Sequence, residues 1–112
     1  MQYLMIICHD DAFAPPETLF ADIGAWITKM DGRGIREYGN PLRPASDSTT
    51  VRMRNGRLLR ACGPFTDSDE KICAYELIEC RDLEEAVDVA AQHAMARVAT
   101  IEVRPIWNEL AV

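Results

Sequence analysis

Apolar side chains follow two different periods along the first third of the chain, and the change of period predicts a strand followed by a helix. Met1 to Cys8 is apolar at almost every position, which is typical of a central strand covered on both faces. From Glu17 the apolar positions recur every three or four residues, as on an amphipathic helix that Gly32 and Gly34 can end. They are Leu19, Ile23, Trp26, Ile27 and Met30. Residues 35–38 predict a second, short strand.

A hairpin is the clearest local prediction. Residues 49–54 and 57–60 form strands on either side of Asn55-Gly56, a dipeptide that accepts the positive φ angles of a two-residue turn. Arginines and apolar residues alternate in the first of these strands, so we expect the arginines on a solvated face and the apolar side chains turned inward. The arginines are Arg52 and Arg54, and the apolar residues are Val51 and Met53.

The second half of the chain predicts a strand, a helix and a last strand. Residues 72–80 form a long apolar run, after which Asp82 occupies a helix N-cap position ahead of an alanine-rich apolar stripe. A strand at 100–104 follows, and Pro105 ends its ladder. The complete order predicts an α+β, ferredoxin-like βαβ(hairpin)βαβ fold, in which two helices cover one face of a mostly antiparallel sheet. Two copies packed sheet to sheet would cover the other face.

Composition and charge narrow the classes of function. The chain has 18 acidic and 12 basic side chains, and 48% of its residues are apolar, which is typical of one globular domain spanning residues 1–112. The net charge of −6, without a cluster of Lys and Arg, argues against nucleic acid and anionic membrane surfaces as partners. No apolar run is long enough to span a bilayer, and no secretory signal is recognisable, so we expect a cytoplasmic protein.

The four cysteines do not form a metal or disulfide pattern. Cys8, Cys62, Cys73 and Cys80 include no Cys-x-x-Cys pair, and no histidine lies at metal-ligand spacing from them. We expect reduced thiols, all but Cys62 being buried as small apolar residues. The sequence therefore predicts neither a metal nor an organic cofactor.

Five segments, in the same order over most of the chain, carry a family resemblance. They are residues 50–57, Gly63-Pro64-Phe65, residues 75–79, residues 82–86 and residues 101–106. Together they resemble the YCII-related domain family, in its branch named for an Asp-Gly-Pro-Phe signature. The resemblance implies a dimeric α+β barrel, that is, a homodimer whose two sheets close around a cavity for a small organic ligand. Gly63, Pro64, Phe65 and Arg104 carry over from the family pattern.

The chain departs from that pattern at two positions. Cys62 stands where the signature has aspartate, so a carboxylate that can act as acid, base or orienting group is absent there. A histidine common in the family's first helix is also missing, since the corresponding turn is Asp22-Ile23-Gly24-Ala25. A mechanism that depends on those two groups does not carry over to this chain.

Glu76 is the most informative single position, because a carboxylate within an apolar strand is costly unless it is paired or hydrated. It shares a strand face with Ile72, Ala74 and Ile78. If the other face of the strand packs on the helices, Glu76 points into the dimer cavity, where burial would raise its pKa towards that of a general acid or base. The alternative is a rim position in a salt bridge with an arginine.

Two further residues, Arg104 and His9, are predicted to take part in chemistry with Glu76. Arg104 and Glu102 alternate with apolar residues and project away from the helices, where Arg104 can neutralise Glu76 or Glu102, or bind a carboxylate or enolate oxygen of a ligand. His9 follows the first strand, beside Asp10, and its imidazole can shuttle a proton near neutral pH.

The signature loop supplies candidates for contact with substrate. Phe65 and Cys62 form the predicted substrate-binding set together with Glu102, and Cys62 acts as a nucleophile only if a positive neighbour such as Arg60 lowers its pKa. The second histidine, His93, is instead expected to favour the C-terminus of the second helix by its charge.

These residues predict a small-molecule-binding protein that is a cofactor-independent proton-transfer enzyme of the isomerase, dehydratase or lyase type. Glu76 or His9 would be the acid or base, and Arg104 would stabilise an anion. The alternative, which Cys62 and the missing helix histidine favour, is a non-catalytic ligand-binding or accessory protein. A third class, a protein-interaction adaptor, requires an exposed apolar patch that the sequence does not locate.

Overall fold

The computed structural model describes residues 1–110 and shows six strands and two α-helices in that range. The elements are β1 Gln2–His9, α1 Leu19–Gly32, β2 Arg36–Pro41, β3 Thr49–Arg54, β4 Arg57–Cys62, β5 Lys71–Glu79, α2 Leu83–Ala91 and β6 Thr100–Pro105. Four strands form one sheet in the order β2-β5-β1-β6, and each neighbouring pair is antiparallel. This is a ferredoxin-like arrangement with an inserted hairpin, so the predicted fold class is confirmed.

The hydrophobic core lies between one face of the four-stranded sheet and the two helices. β1 is central, as predicted, and its side chains at Tyr3, Met5 and Ile7 are buried under the helices while the even-numbered ones are half-buried on the open face. Trp26 of α1 crosses to α2, where its indole N–H donates to the carbonyl of Val89 at 2.9 Å. The small residues of α2 let that helix lie close to the sheet. The main buried cluster contains Tyr3, Met5, Trp26, Met30, Ile35, Ile78, Cys80, Ala86, Val89 and Ala90.

The first turn of α2 is capped by side chains, whereas the N-cap residue of α1, Thr18, makes no capping hydrogen bond with its side chain. α1 begins at Leu19, two residues later than the sequence pattern suggested, and α2 begins after Asp82, whose carboxylate accepts from the Glu85 N–H at 2.9 Å. Glu85 in turn accepts from the Arg81 N–H at 2.9 Å, so two otherwise unpaired donors are satisfied. Neither helix is long and apolar enough to cross a membrane.

β3 and β4 form a separate two-stranded sheet. The predicted turn is confirmed, since Asn55 and Gly56 have φ angles of 52° and 74°. The predicted inward orientation of Val51 and Met53 is wrong for this chain, because these side chains are 62% and 57% exposed. The physical reason is that the two strands pair only with each other, and both faces of the hairpin from 51 to 62 are exposed.

Candidate functional site

A cleft of about 520 Å³ opens between α1 and the β2-β5-β1 part of the sheet. Its volume lies within the range of roughly 300–1,000 Å³ that is usual for small-molecule sites. The walls are mainly apolar, and they come from β1, the segment after it, and α1. These wall residues include Ile7, Phe13, Leu19, Phe20, Ile23 and Ile27.

Strand register places Glu76 in this cleft. Glu76 lies opposite Met5, and Ile78 lies opposite Tyr3, so all four side chains share the helix-facing side of the sheet. The sequence predicts Glu76 in the dimer cavity only if the opposite face of its strand packs on the helices. In the structure the face that carries Glu76 packs on the helices instead. Ile78 and Met5 fill the core on that side, which leaves Glu76 at its border with the cleft.

A β-bulge changes the neighbours that the sequence assigned to Glu76. The register of β1 and β5 shifts between Ile7 and Cys8, so Ile72 pairs with Cys8 on the open face. Cys73 and Ala74 line the cleft instead. The predicted common face of Glu76 with Ala74 is confirmed, whereas the assignment of Ile72 to that face is wrong.

Arg36 holds one oxygen of the Glu76 carboxylate. The guanidinium Nε donates to Glu76 Oε2 at 2.7 Å, Nη2 donates to the Gly39 carbonyl at 3.3 Å, and Nη1 lies 3.6 Å from Asp31 Oδ1. The Glu76 side chain is 7% exposed and that of Arg36 is 16% exposed. The predicted alternative of an arginine partner for Glu76 is thus realised, although the pair is buried and not at a rim.

Gly39 provides the space that the carboxylate occupies. It lies opposite Glu76 in β2, and a Cβ at this position would overlap the Glu76 carboxylate and lie 2.5 Å from the Tyr75 carbonyl oxygen. Only glycine fits there with Glu76 in its present rotamer. The backbone of β2 therefore forms part of the carboxylate site.

Burial raises the pKa of Glu76, and this effect outweighs the hydrogen bond and positive charge of Arg36, which lower it. Asp31 adds to the rise by its negative charge. Within residues 1–110 no hydrogen bond to Oε1 is found, although every fully buried side-chain N or O atom there has a partner. Oε1 is therefore accessible from the cleft, and it can exchange a proton with a bound molecule.

His9 also lines the cleft, in agreement with its predicted position at the end of the first strand. Its ring stacks on Phe13 with a centroid separation of 4.4 Å, and Nδ1 lies 3.1 Å from the Asp10 carbonyl oxygen. The Asp10 carboxylate accepts from the Ala12 N–H at 3.0 Å. The cleft thus receives both predicted acid-base residues, Glu76 and His9, without a carboxylate hydrogen-bonded to the imidazole.

Arg104 and Glu102 lie on the other face of the sheet, as their alternation predicted. They are opposite Leu4 and Ile6 of β1, which face away from the helices. Arg104 Nη2 pairs with Glu102 Oε2 at 2.5 Å. Of its two predicted carboxylate partners, Arg104 therefore pairs with Glu102. The sheet separates this pair from Glu76, so Arg104 does not reach the cleft of its own chain.

Cys62 and Phe65 do not line the cleft either. Cys62 ends β4 and is exposed, and Phe65 lies in the following loop with 70% of its surface exposed. Gly63 between them has a φ angle of 98°, and its N–H donates to the Ser48 carbonyl at 2.7 Å. In this chain the Gly-Pro-Phe segment shapes the loop at the base of the hairpin.

His93 corrects a prediction. α2 ends at Ala91, so His93 lies beyond it and caps a 3-10 turn, Ala94–Arg97, by accepting from the Met95 N–H at 3.0 Å. The ring is buried and lies edge-on to Trp26 at 4.7 Å. Burial, aided by the positive charge of Arg97, lowers the pKa of His93 to about 4. The histidine is therefore neutral near pH 7, and it does not act on the helix terminus by charge.

Arg36 is the functional residue that sequence reasoning missed. A bulge in β2 between Arg36 and Tyr38 places Arg36 and Gly39 on the same face although they are three residues apart. Regular alternation of side chains along a strand would assign Arg36 and Gly39 to opposite faces. The sequence pattern therefore did not show that they lie on the same face. No group of three or more metal-ligating side chains is placed to hold an ion in residues 1–110.

The fold and cleft define a ferredoxin-like α+β protein with a buried carboxylate in a mainly apolar site. The sequence model of the YCII-related domain matches residues 1–109. An uncharacterized protein of Rhizobium meliloti (strain 1021) is 34% identical over 118 aligned positions, which cover 90% of this chain and 89% of that protein. The chain belongs to the YCII-related domain family, as the motifs indicated.

A solved structure is also similar. It is 5-chloro-2-hydroxyhydroquinone dehydrochlorinase from Burkholderia phenoliruptrix AC1100, in complex with 2,5-dihydroxybenzoquinone. It is 15% identical to this chain, with a TM-score of 0.46, and the match covers 95% of this chain and 93% of that one.

Proposed function

We propose that this protein binds a small, mainly apolar organic molecule in the cleft beside α1 and moves a proton on it, as an isomerase, dehydratase or other lyase does. The observation that carries the proposal is that Glu76 lines a cleft of about 520 Å³ with Oε2 fixed by Arg36 and Oε1 without a hydrogen bond in residues 1–110. Burial raises the pKa of Glu76, which makes its carboxylate a better proton acceptor than an ordinary one.

In the proposed reaction, Glu76 Oε1 takes a proton from an acidic C–H or O–H of the ligand, and the bonding electrons move onto the ligand. The proton then returns to a different atom of the same molecule, or it passes to a leaving group that departs with its bonding electron pair and so regenerates the Glu76 carboxylate. His9 is the second group that can carry the proton, because it lines the same cleft. Arg36 acts as a positioning residue, since its guanidinium nitrogens are committed to Glu76, Gly39 and Asp31.

Two copies of the chain are proposed to pack through the open face of the sheet, as the family resemblance implies. Leu4, Ile6, Tyr75 and Leu77 lie half-buried on that face without a covering helix, and the hairpin carries further exposed apolar side chains. Arg104 and Glu102 lie on the same face and therefore belong to this dimer surface. The four cysteines are free thiols, and we place the protein in the reducing cytoplasm.

Proton abstraction can be tested before the substrate is known. We expect the wild-type chain to catalyse incorporation of solvent deuterium into members of a panel of small cyclic ketones and enones, followed by proton NMR in D₂O. Glu76→Gln keeps the shape but removes the base, so the rate should fall by about 10² or more. Glu37→Gln is the matched control, because Glu37 is exposed and does not line the cleft, and it should keep the wild-type rate.

Unchanged exchange in Glu76→Gln would refute the role of Glu76. A non-catalytic ligand-binding protein is the second candidate, and the mainly apolar walls of the cleft together with Cys62 favour it. That alternative predicts saturable binding of panel members at the cleft with no deuterium incorporation in any of them.

A further inference from the structure

We propose that the cleft selects a neutral ligand that carries a hydrogen-bond donor on an apolar body, such as a phenol or an enol, and rejects a carboxylate of the same shape. The inference rests on the proposed function and deepens it by naming the chemical class of the ligand. It follows from the charges and free hydrogen-bonding atoms around the cleft.

The positive charge in the cleft is already committed to protein groups. Arg36 is the one lysine or arginine that lines the cleft in residues 1–110. Its Nε and Nη2 donate to Glu76 and Gly39, and Nη1 faces the Asp31 carboxylate. Two carboxylates therefore surround one guanidinium, and the local charge is negative. A ligand anion would have to displace a buried ion pair to reach this cation.

The two histidines that line the cleft do not offset the negative charge of the Glu76 and Asp31 carboxylates. His93 is buried and accepts from the Met95 N–H through Nδ1, so its ring is held neutral, with its one N–H at Nε2. His9 is partly exposed and lies flat on Phe13, where water screens any charge that it carries. Within residues 1–110, the cleft thus has no uncommitted lysine or arginine to bind a carboxylate or phosphate.

The free atom of the ion pair is an acceptor. Glu76 Oε1 is accessible from the cleft and has no donor within residues 1–110. A neutral O–H or N–H can give it a charge-assisted hydrogen bond, which is stronger than a hydrogen bond between neutral groups. A ligand carboxylate at the same place would meet a like charge, whereas the apolar walls accept a hydrocarbon body in either case.

Three probes of one shape test the inference on the whole chain by isothermal titration calorimetry at neutral pH. They are 2-naphthol, 2-methylnaphthalene and 2-naphthoate, which differ in one group. We expect 2-naphthol to bind most tightly and 2-naphthoate most weakly, with a difference in Kd of about tenfold or more. Glu76→Gln should remove most of that preference, because a neutral amide neither repels the carboxylate nor strengthens the phenol hydrogen bond. Glu37→Gln should keep it.

The outcomes separate this inference from the proposed function. Equal or tighter binding of 2-naphthoate by the wild-type chain overturns the ligand class but leaves proton transfer at Glu76 standing. A preference that persists in Glu76→Gln also overturns it, since the selection would then come from another group. Absence of binding by all three probes overturns the apolar ligand site itself and, with it, the proposed function.

Discussion

Glu76 and Arg36 are each costly to bury, and the structure places them 2.7 Å apart. Removing an ion from water costs several kcal/mol, which a close partner with satisfied hydrogen bonds can offset. Here Arg36 satisfies one carboxylate oxygen, and Gly39 leaves room for it. Because burial still raises the pKa of Glu76, the pair is a structural contact that is also compatible with the proton transfer proposed above.

His93 makes stability depend on pH. Its pKa is about 4 in the folded chain, against an ordinary value of 6.5. As the pH falls from 7, the unfolded chain takes up this proton first, so the free energy of unfolding decreases between about pH 6.5 and 4. The full effect is about 3 kcal/mol. Glu76 acts in the opposite direction, because its raised pKa lets the folded chain take up a proton first.

Urea unfolding over a series of pH values checks the His93 prediction. His93→Asn can still accept from the Met95 N–H but does not titrate, so its stability should fall less than that of the wild type on acidification. Parallel curves for wild type and His93→Asn would contradict the assignment.

At the scale of elements, local capping chemistry sets the start of α2. Asp82 accepts from the Glu85 N–H, and Glu85 accepts from the Arg81 N–H, so the first turn satisfies its own donors. The small buried residues of the helix then pack on the sheet. A defined first turn therefore fixes where Ala86 and Val89 meet the core.

We expect Asp82→Ala to destabilise the chain by about 1 kcal/mol, because it leaves an N-terminal N–H of the helix without its acceptor. The measurement is the midpoint of chemical denaturation at constant m-value. Asp67→Ala, in the exposed loop before β5, removes the same carboxylate without a cap and should change stability by less than about 0.5 kcal/mol. Equal effects of the two substitutions would show that the cap contributes nothing.

At the scale of the whole molecule, an open sheet face and a projecting hairpin leave apolar surface uncovered. Val51, Met53 and Leu58 are each more than half exposed. The side chains on the open face of the sheet are either half-buried or exposed. Apolar surface of this extent is typical of interaction sites. A second copy of the chain would bury it, which is the arrangement proposed above.

Sedimentation velocity tests that arrangement. We expect the wild-type chain to sediment as a dimer and Leu4→Lys to sediment as a folded monomer, because Leu4 lies on the open face of central strand β1 opposite Arg104, where a buried lysine would meet a like charge. Val87→Lys makes the same kind of change on the exposed side of α2 and should remain dimeric. A monomeric wild-type chain would overturn the dimer proposal.

The sequence by itself determined the order of elements, the hairpin turn, the N-cap at Asp82 and the family, because each depends on residues close together along the chain. It also identified Glu76 and His9 as residues of interest. The tertiary structure alone decided which face Glu76 occupies and that Arg36 is its partner. Bulges in β2 and β5 shift the side-chain alternation by one residue. The alternation of apolar and polar residues in the sequence does not reveal such a shift. The neutral state of His93 was decided in the same way, by burial among residues distant in sequence.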